Sequence, residues 1–393
     1  MSISVSDMLT LKSFEHFALI AGKSGLSKTV EVVDMLDFGW ERDQTYSQTL
    51  FEKRSFVVSS LMFAKYDPEK LFITINSMIK CGVVGLAYKP VFYKELPAEV
   101  CRLADENGFV IFRIDDNVTY REIICDVSNA VNINNDIMEA AGYLAQMLSE
   151  GIDGEQVSTL VTKISPHFQK NAKVILVMPR PDTRQFHAEQ IIRSFKNIRL
   201  YRNQVTLCKF SPGIAVITTS NAWEEPMFDL PADYVISNYI GGKDAVLLAS
   251  SNIHPTYPAL HLCLREAYCT LVAAKVLNKD KLSYGMAGTF SYLIPMAGNS
   301  HLQSYYRNYL APVLTDTEYM QTAAAFIRAD GDYEKAAAEL GYHKNTMRYR
   351  INKIKSHLSP DLPYEAFYEN LAAAVKIYLI NEMLSDTSFI KPI

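Results

Sequence analysis

The sequence predicts a multidomain protein, with two α/β units in series followed by an all-α C-terminal domain built around a helix-turn-helix. Three observations carry this reading. Up to about residue 125, short apolar runs of strand length alternate with amphipathic helical segments, as in an α/β domain with a mainly parallel sheet. The alternation returns between about 171 and 310. Beyond 311 the apolar period is helical, and Asp332 to Leu358 (DYEKAAAELGYHKNTMRYRINKIKSHL) reads as helix, tight turn and second helix.

A chain of 393 residues can hold two or three domains, each with its own core. With 49% hydrophobic and 21% charged residues it has the composition of a water-soluble protein, and its net charge of −4 requires any attraction to nucleic acid to be local. The 6 cysteines form no CxxC and no Cys/His cluster, so they read as buried free thiols in a reducing compartment. The N-terminal MSISVSDMLTLKSF lacks the charged and apolar regions of a signal peptide, and no stretch reaches the ~18 apolar residues of a membrane span. A cytoplasmic protein with no membrane partner is expected.

In chain order, Val5 to Leu11 is a short helical start, and Val30 to Met35 is a strand after Gly22 and Gly25. Ser55 to Ser60 is an apolar strand, and Pro68 to Cys81 is a helix with Leu71, Ile75, Met78 and Ile79 on one side. Val83 to Tyr88 is a strand, Pro97 to Asn107 a helix stopped by Gly108, and Phe109 to Ile114 a strand. Open α/β sheets bind ligands beyond the C-terminal strand ends. That rule nominates Ser59, Ser60, Tyr88, Lys89 and Asp115, with Asp116 beside it, as effector contacts, though each is also an ordinary loop residue. Ala21-Gly22-Lys23-Ser24 ends like a phosphate-binding loop, but Phe17 stands where that loop needs its first glycine.

Residues 126–165 read as a connecting helical segment broken at Gly151 and Gly154; it either packs on its own domain or forms a dimer seam. Within 166–310, Lys173 to Met178 is a strand and His187 to Phe195 a helix. Ile198 to Cys208 and Ile214 to Thr219 are strands of a hairpin around Ser211-Pro212-Gly213. Tyr234 to Ile240 reads as a strand and His261 to Leu277 as a long helix.

The last domain, 311–393, opens with a helix at Thr317 to Ala329 and closes with one at Tyr364 to Leu384. Read as an independent domain, it should be removable to leave a soluble remainder. Between those helices, Ala336, Ala337 and Leu340 give a small-residue packing face, and Gly341 supplies the left-handed turn. At roughly 100° per residue, Met347, Ile351, Ile354 and Leu358 of the second helix fall on one line. Asn345, Tyr349, Asn352 and Lys353 fall opposite, and Arg348 and Arg350 on the flanks. From Gly341 to Leu358 there are five Lys or Arg residues and no acid. Such a helix suits phosphate neutralisation by its flanks and base-edge contact by its amides and guanidinium groups. Lys344, Asn345, Thr346, Arg348, Tyr349, Arg350, Asn352 and Lys353 are the candidate contacts to double-stranded DNA. A solvated basic surface helix is the plainer alternative.

The run AAAELGYHKNTMRYRINKI resembles the C-terminal helix-turn-helix of the purine catabolism regulator (PucR) family, which enters its reading helix through Asn-Thr/Ser-apolar-Arg-Tyr-Arg; Met347 fills the apolar slot here. The sugar-diacid regulators carry a similar segment. Residues 1–125 resemble the PucR-type N-terminal domain through Val5-Ser6-Asp7-Met8-Leu9, Ala21-Gly22, Gly25-Leu26-Ser27, Leu96-Pro97 and Leu103 to Phe109. In that family the domain is taken to be the sensor. The middle unit resembles, more distantly, the degenerate GGDEF-like domain of these regulators, through the order of its elements and Tyr305-Tyr306-x-x-Tyr309-Leu310-Ala311-Pro312-Val313-Leu314. A cyclase needs carboxylates at its hairpin signature to hold metal ions. Ser211-Pro212-Gly213 has none, and Gly241-Gly242-Lys243-Asp244 has lysine where the first acid belongs, so no catalysis and no cofactor are expected.

The resemblance and the residues together imply a regulator that answers a small-molecule effector, binds an operator and works as a homodimer or higher homo-oligomer, since one helix-turn-helix holds DNA weakly. Control of purine or related nitrogen catabolism follows only from the family. The alternatives are a scaffold whose helix-turn-helix binds protein, and a nucleotide-binding signalling enzyme. The enzyme would need a phosphate loop or a metal-carboxylate pair that the sequence does not supply.

Overall fold

The computed structural model describes residues 2–15, 17–37, 51–65, 67–114, 117–181, 183, 186–196, 198 and 203–385. The chain divides into two units, Met1–Met138 and Glu139–Ile393.

The first unit runs β1 (Ile3–Ser4), α1 (Val5–Met8), β2 (Ala18–Ala21), β3 (Thr29–Val30), β4 (Val32–Met35), β5 (Ser55–Ser59), α2 (Pro68–Cys81), β6 (Gly85–Tyr88), α3 (Ala98–Asn107), β7 (Val110–Arg113) and the start of α4 (Tyr120–Leu148). Its main sheet has the order β2-β7-β6-β5-β4, with β4 to β7 parallel and β2 antiparallel at the edge. The mainly parallel sheet expected from the sequence is therefore present. Every residue of β5 is buried, as a strand covered on both faces requires. The period of two divides the layers. Val57, Leu86 and Ile111 join Leu71, Ile75 and Met78 of α2 and Val100 of α3 on one side. Phe56, Val58, Ala87, Val110 and Phe112 join Met8 of α1 and Ile123 and Val127 of α4 on the other.

The glycine of the abandoned phosphate loop has a packing role. Gly22 has φ +77°, and a Cβ there would sit 1.9 Å from the Phe109 carbonyl oxygen. Its N–H donates to Asp105 Oδ1 at 2.6 Å. The turn is a close backbone contact that only glycine allows.

The second unit begins with the rest of α4 and α5 (Gly154–Ile164). It continues with β8 (Asn171–Pro179), α6 (Ala188–Lys196), β9 (Val205–Phe210), β10 (Gly213–Ser220), α7 (Glu225–Val235), β11 (Val246–Ser250), β12 (His254–Pro255), α8 (Thr256–Val276), β13 (Lys281–Ser283), α9 (Phe290–Leu293) and α10 (Ser300–Leu310). The sheet order is β13-β11-β8-β10-β9, with β8, β9, β10 and β11 antiparallel to their neighbours and β13 parallel to β11. Strands β8, β9, β10 and β11 with α6 and α7 form a β-α-β-β-α-β unit. Ala172, Val174, Leu176 and Met178 of β8 pack with α5 and α8, while Lys173, one residue out of step, pairs with Asp229 of α7 at 2.8 Å. The two faces of the sheet are therefore covered by different helix pairs.

Two expectations are corrected here. Tyr234 to Ile240 is not a strand: α7 runs to Val235 and Ile236–Ile240 continues as a wide helical turn. Phe228, Pro231, Ala232 and Val235 are buried at helical spacing, and a short β-branched run does not distinguish strand from buried helix. The next strand is β11, so Gly241-Gly242-Lys243-Asp244 follows a helical turn, and Lys243 pairs with Asp233 at 2.9 Å. The first hairpin strand, expected over Ile198 to Cys208, is Val205–Phe210; residues 199–202 lie outside the described set. The hairpin itself, turning at Ser211-Pro212, is present.

The C-terminal helices are α11 (Thr317–Arg328), α12 (Tyr333–Leu340), α13 (Lys344–Leu358) and α14 (Tyr364–Ser385). They share one hydrophobic core with the sheet half of the unit: Leu264, Leu271 and Phe290 belong to the same cluster as Phe326, Leu371 and Val375. Arg328 Nε also donates to the Val276 carbonyl at 2.9 Å, and Lys376 Nζ to Thr289 Oγ1 at 3.0 Å. The expectation that 311–393 can be cut away to leave a soluble remainder conflicts with this shared core. Truncation after 310 bares the α14-facing surface of α8 and α10. The truncated chain is expected to precipitate or to bind a hydrophobic dye, and a dye-free soluble remainder would contradict the shared core.

Buried free thiols are found at Cys208, Cys263 and Cys269, where burial pushes each thiol up to about 12. Cys125 departs from the expectation, being exposed, and Cys81 and Cys101 are half-buried. At about pH 8, a disulfide-exchange reagent should label Cys125 in the folded protein and reach Cys208, Cys263 and Cys269 only after unfolding.

Candidate nucleic-acid interface

The helix-turn-helix is assembled from its caps inward. Asp332 caps α12, accepting from the N–H groups of Glu334 at 2.8 Å and Lys335 at 3.2 Å. These two backbone donors hold its carboxyl below the usual range. Gly341 ends α12 at φ +70°, and the Tyr342 N–H closes the turn on the Ala337 carbonyl at 2.8 Å. His343 then caps α13, its Nδ1 accepting from the Asn345 N–H at 3.2 Å. This cap was not legible in the sequence, because histidine is an uncommon helix cap.

Met347, Ile351 and Ile354 are fully buried, and Leu358 is half-buried at the end of the line. They pack against α11 and α12, where Ala323, Ala336 and Ala337 are buried. Small residues let the helix axes approach. Burying the three large side chains contributes roughly 1.5–3 kcal/mol each. The plotted line is thus the core face. Asn345, Thr346, Arg348, Tyr349, Asn352 and Lys353 are exposed, and Tyr349 is 65% accessible despite its size. Six of the eight residues nominated from sequence therefore share one open face.

The other two are engaged within the protein. Lys344 is half-buried and pairs with Glu334 of α12. Arg350 is half-buried, pairs with Glu318 of α11 and lies 4.3 Å from the centroid of the Tyr342 ring. Aromatic rings also line the exposed cations: Arg348 lies 5.4 Å from the Tyr333 centroid and Lys353 5.9 Å from that of Tyr319. Tyr333 and Tyr364 in turn share a hydroxyl hydrogen bond of 2.7 Å.

The residues nominated for an effector meet a different situation. Ser59 is buried; its hydroxyl donates to the Leu36 carbonyl and accepts from the Leu61 N–H at 2.9 Å. Both the N–H and the hydroxyl of Ser60 donate to Asp37 Oδ1 at 2.7 Å. Tyr88 is wholly buried, and burial pushes its phenol up. Lys89 Nζ lies 5.5 Å from the ring centroid of Tyr120, whose hydroxyl is shut from solvent with no hydrogen-bond partner among the described residues. Asp115 and Asp116 lie outside the described residues. A cavity of about 380 Å³ in this unit opens instead at the N-terminal strand ends, against Lys28, Thr29, Arg54, Gly82, Asn107 and Phe109.

Among the described residues no His, Cys, Asp and Glu cluster could hold a metal ion, and no helix is long and apolar enough to cross a membrane.

Two family models match. Residues 7–131 match the purine catabolism regulatory protein-like family, PucR, and residues 319–377 match the PucR C-terminal helix-turn-helix domain. The chain therefore carries both PucR-type domains. The purine catabolism regulatory protein of Bacillus subtilis (strain 168) is 26% identical over 170 residues, 42% of this chain and 31% of that protein. The match thus spans less than a third of that relative's length. The crystal structure of a regulator of polyketide synthase expression from Bifidobacterium adolescentis aligns over 63% of this chain and 99% of that one, with 16% identity and a TM-score of 0.31.

The two faces of α13 should respond oppositely to truncation. Ile351→Ala is expected to lower the stability of the C-terminal helices by about 2–5 kcal/mol. Tyr349→Ala should stay within about 0.5 kcal/mol of the parent. Urea unfolding followed by circular dichroism separates them, and equal costs would mean that the faces are wrongly assigned.

Proposed function

We propose that this chain, with PucR-type domains at both ends, is a ligand-responsive transcriptional regulator rather than an enzyme, and that α13 is its DNA-reading helix. The observation that carries the reading is the open, acid-free face of α13, held in place by a buried apolar line in a helix-turn-helix. Six side chains on that face offer two amides, two cations, a hydroxyl and a phenol. That set suits phosphate positioning and base-edge contact.

The remaining roles follow from how such a regulator must work. One helix-turn-helix makes few contacts, so a homodimer presenting two half-sites about one helical turn apart is the expected DNA-bound form. An effector drives the switch only by favouring one arrangement of that dimer over another. The N-terminal unit is proposed as its receiver. The middle unit is proposed as a GGDEF-like domain without catalysis: its β-α-β-β-α-β order supports the likeness, and its hairpin turn at Ser211-Pro212 carries no carboxylate. Control of purine or related nitrogen catabolism is proposed from the name of the Bacillus subtilis relative. A cytoplasmic location goes with binding DNA.

The test is fluorescence anisotropy of the full chain on duplex DNA from upstream of its own gene, across a salt series and with a metabolite panel. Binding should weaken steeply with salt, and Arg348→Ala should reduce the slope of log K against log[salt] by about 0.9 if it removes one phosphate contact. Salt-insensitive binding would favour a protein-binding scaffold. No binding under any condition would overturn the assignment of α13.

A further inference from the structure

We infer that Arg350 does not contact DNA but acts as a positioning residue, a bracket between Glu318 and Tyr342 that fixes the reading helix. The inference rests on the proposed role of α13 in DNA binding. Three observations carry it. The Arg350 Nη2 donates to Glu318 Oε1, on the first turn of α11. Its guanidinium carbon lies 4.3 Å from the Tyr342 ring centroid, in the turn between α12 and α13. Its Nη1 is closed off from solvent with no acceptor in hydrogen-bond geometry among the described residues, and the side chain is only 19% accessible.

One guanidinium thus touches α11, the turn and α13 at once. A planar fork held by a carboxylate at its edge and an aromatic ring on its face is fixed in direction. To reach a phosphate it would have to leave both partners and strand the Glu318 carboxylate beside the DNA backbone. Arg348, two residues earlier, is exposed; it lies by the Tyr333 ring but has no carboxylate partner to strand among the described residues. The sequence pattern Arg-Tyr-Arg therefore contains two arginines with different work: Arg348 faces outward and Arg350 sets the angle at which Arg348, Tyr349 and Asn352 are presented.

The two roles for Arg350 give opposite signs for one variant. Removing an acid from a DNA-binding domain ordinarily strengthens binding. If Arg350 met a phosphate, Glu318→Gln would also release it to do so, and affinity would rise. As a bracket, Glu318→Gln should instead weaken binding about two- to fivefold, the loss expected when a half-exposed ion pair that orders the site gives up its charge. Arg350→Ala should weaken binding with the salt slope of the parent, whereas Arg348→Ala reduces it by about 0.9. The exchange Glu318→Arg with Arg350→Glu should recover affinity that Arg350→Glu alone loses, because the bracket is rebuilt in reverse.

Fluorescence anisotropy of the full chain, with circular dichroism to show that each variant is folded, reads all five. Tighter binding by Glu318→Gln, a slope reduced by about 0.9 in Arg350→Ala, or no recovery in the exchange overturns the bracket. If the parent chain binds no DNA, the assignment of α13 fails instead. The bracket is then judged by a Glu318→Gln/Arg350→Ala cycle in urea unfolding, where additive effects overturn it and coupled effects keep it.

Discussion

The burial of Met347, Ile351 and Ile354 against the small residues of α11 and α12 is the constraint on which the C-terminal structure depends. Once those three side chains are inside, the rotation of α13 about its axis is settled, because a helix has only one face for each apolar line. Everything polar on the helix is then distributed by geometry. Asn345, Arg348, Tyr349 and Asn352 are presented outward, and Arg350 is turned toward α11. The basic character of the helix is a consequence of which residues remain after packing is satisfied.

The same core carries this placement back into the rest of the second unit. α14 packs on α8, α10 and α11, and α8 lies on the sheet through β8 and β11. Hydrogen bonds from Arg328 to Val276 and from Lys376 to Thr289 reinforce the contact where polar groups would otherwise be buried unpaired. A close-packed interior passes small displacements to its neighbours rather than absorbing them. The sheet half and the helix-turn-helix therefore share one continuous packed core.

The N-terminal unit shows how strand-end geometry and strand-end chemistry part company. The parallel sheet places Ser59, Ser60, Tyr88 and Lys89 at the C-terminal edge, as the topology requires. Yet the Ser59 and Ser60 hydroxyls are taken up by Leu36 and Asp37, and Tyr88 fills the core. Hydrogen bonds that close a β-to-α connection and hydrogen bonds that hold a ligand draw on the same residue types. A list of polar residues at strand ends does not separate them.

What the sequence determined by itself is what depends on neighbours a few positions apart. The apolar run at Ser55–Ser59, the helical stripe of Leu71, Ile75 and Met78, the Gly341 turn and the core line of α13 are all local, and each is found where the residues put it. Tertiary structure decided what depends on residues far apart in the chain. Tyr234 to Ile240 has strand composition but is helical, because Phe228, Ala232 and Val235 need one face to cover the sheet. Arg348 and Arg350 look equivalent in the sequence, and only the approach of Glu318, 32 residues before Arg350, distinguishes them. Local pattern fixes which face of an element is apolar, but the partner that each polar side chain meets is set by how the elements are brought together.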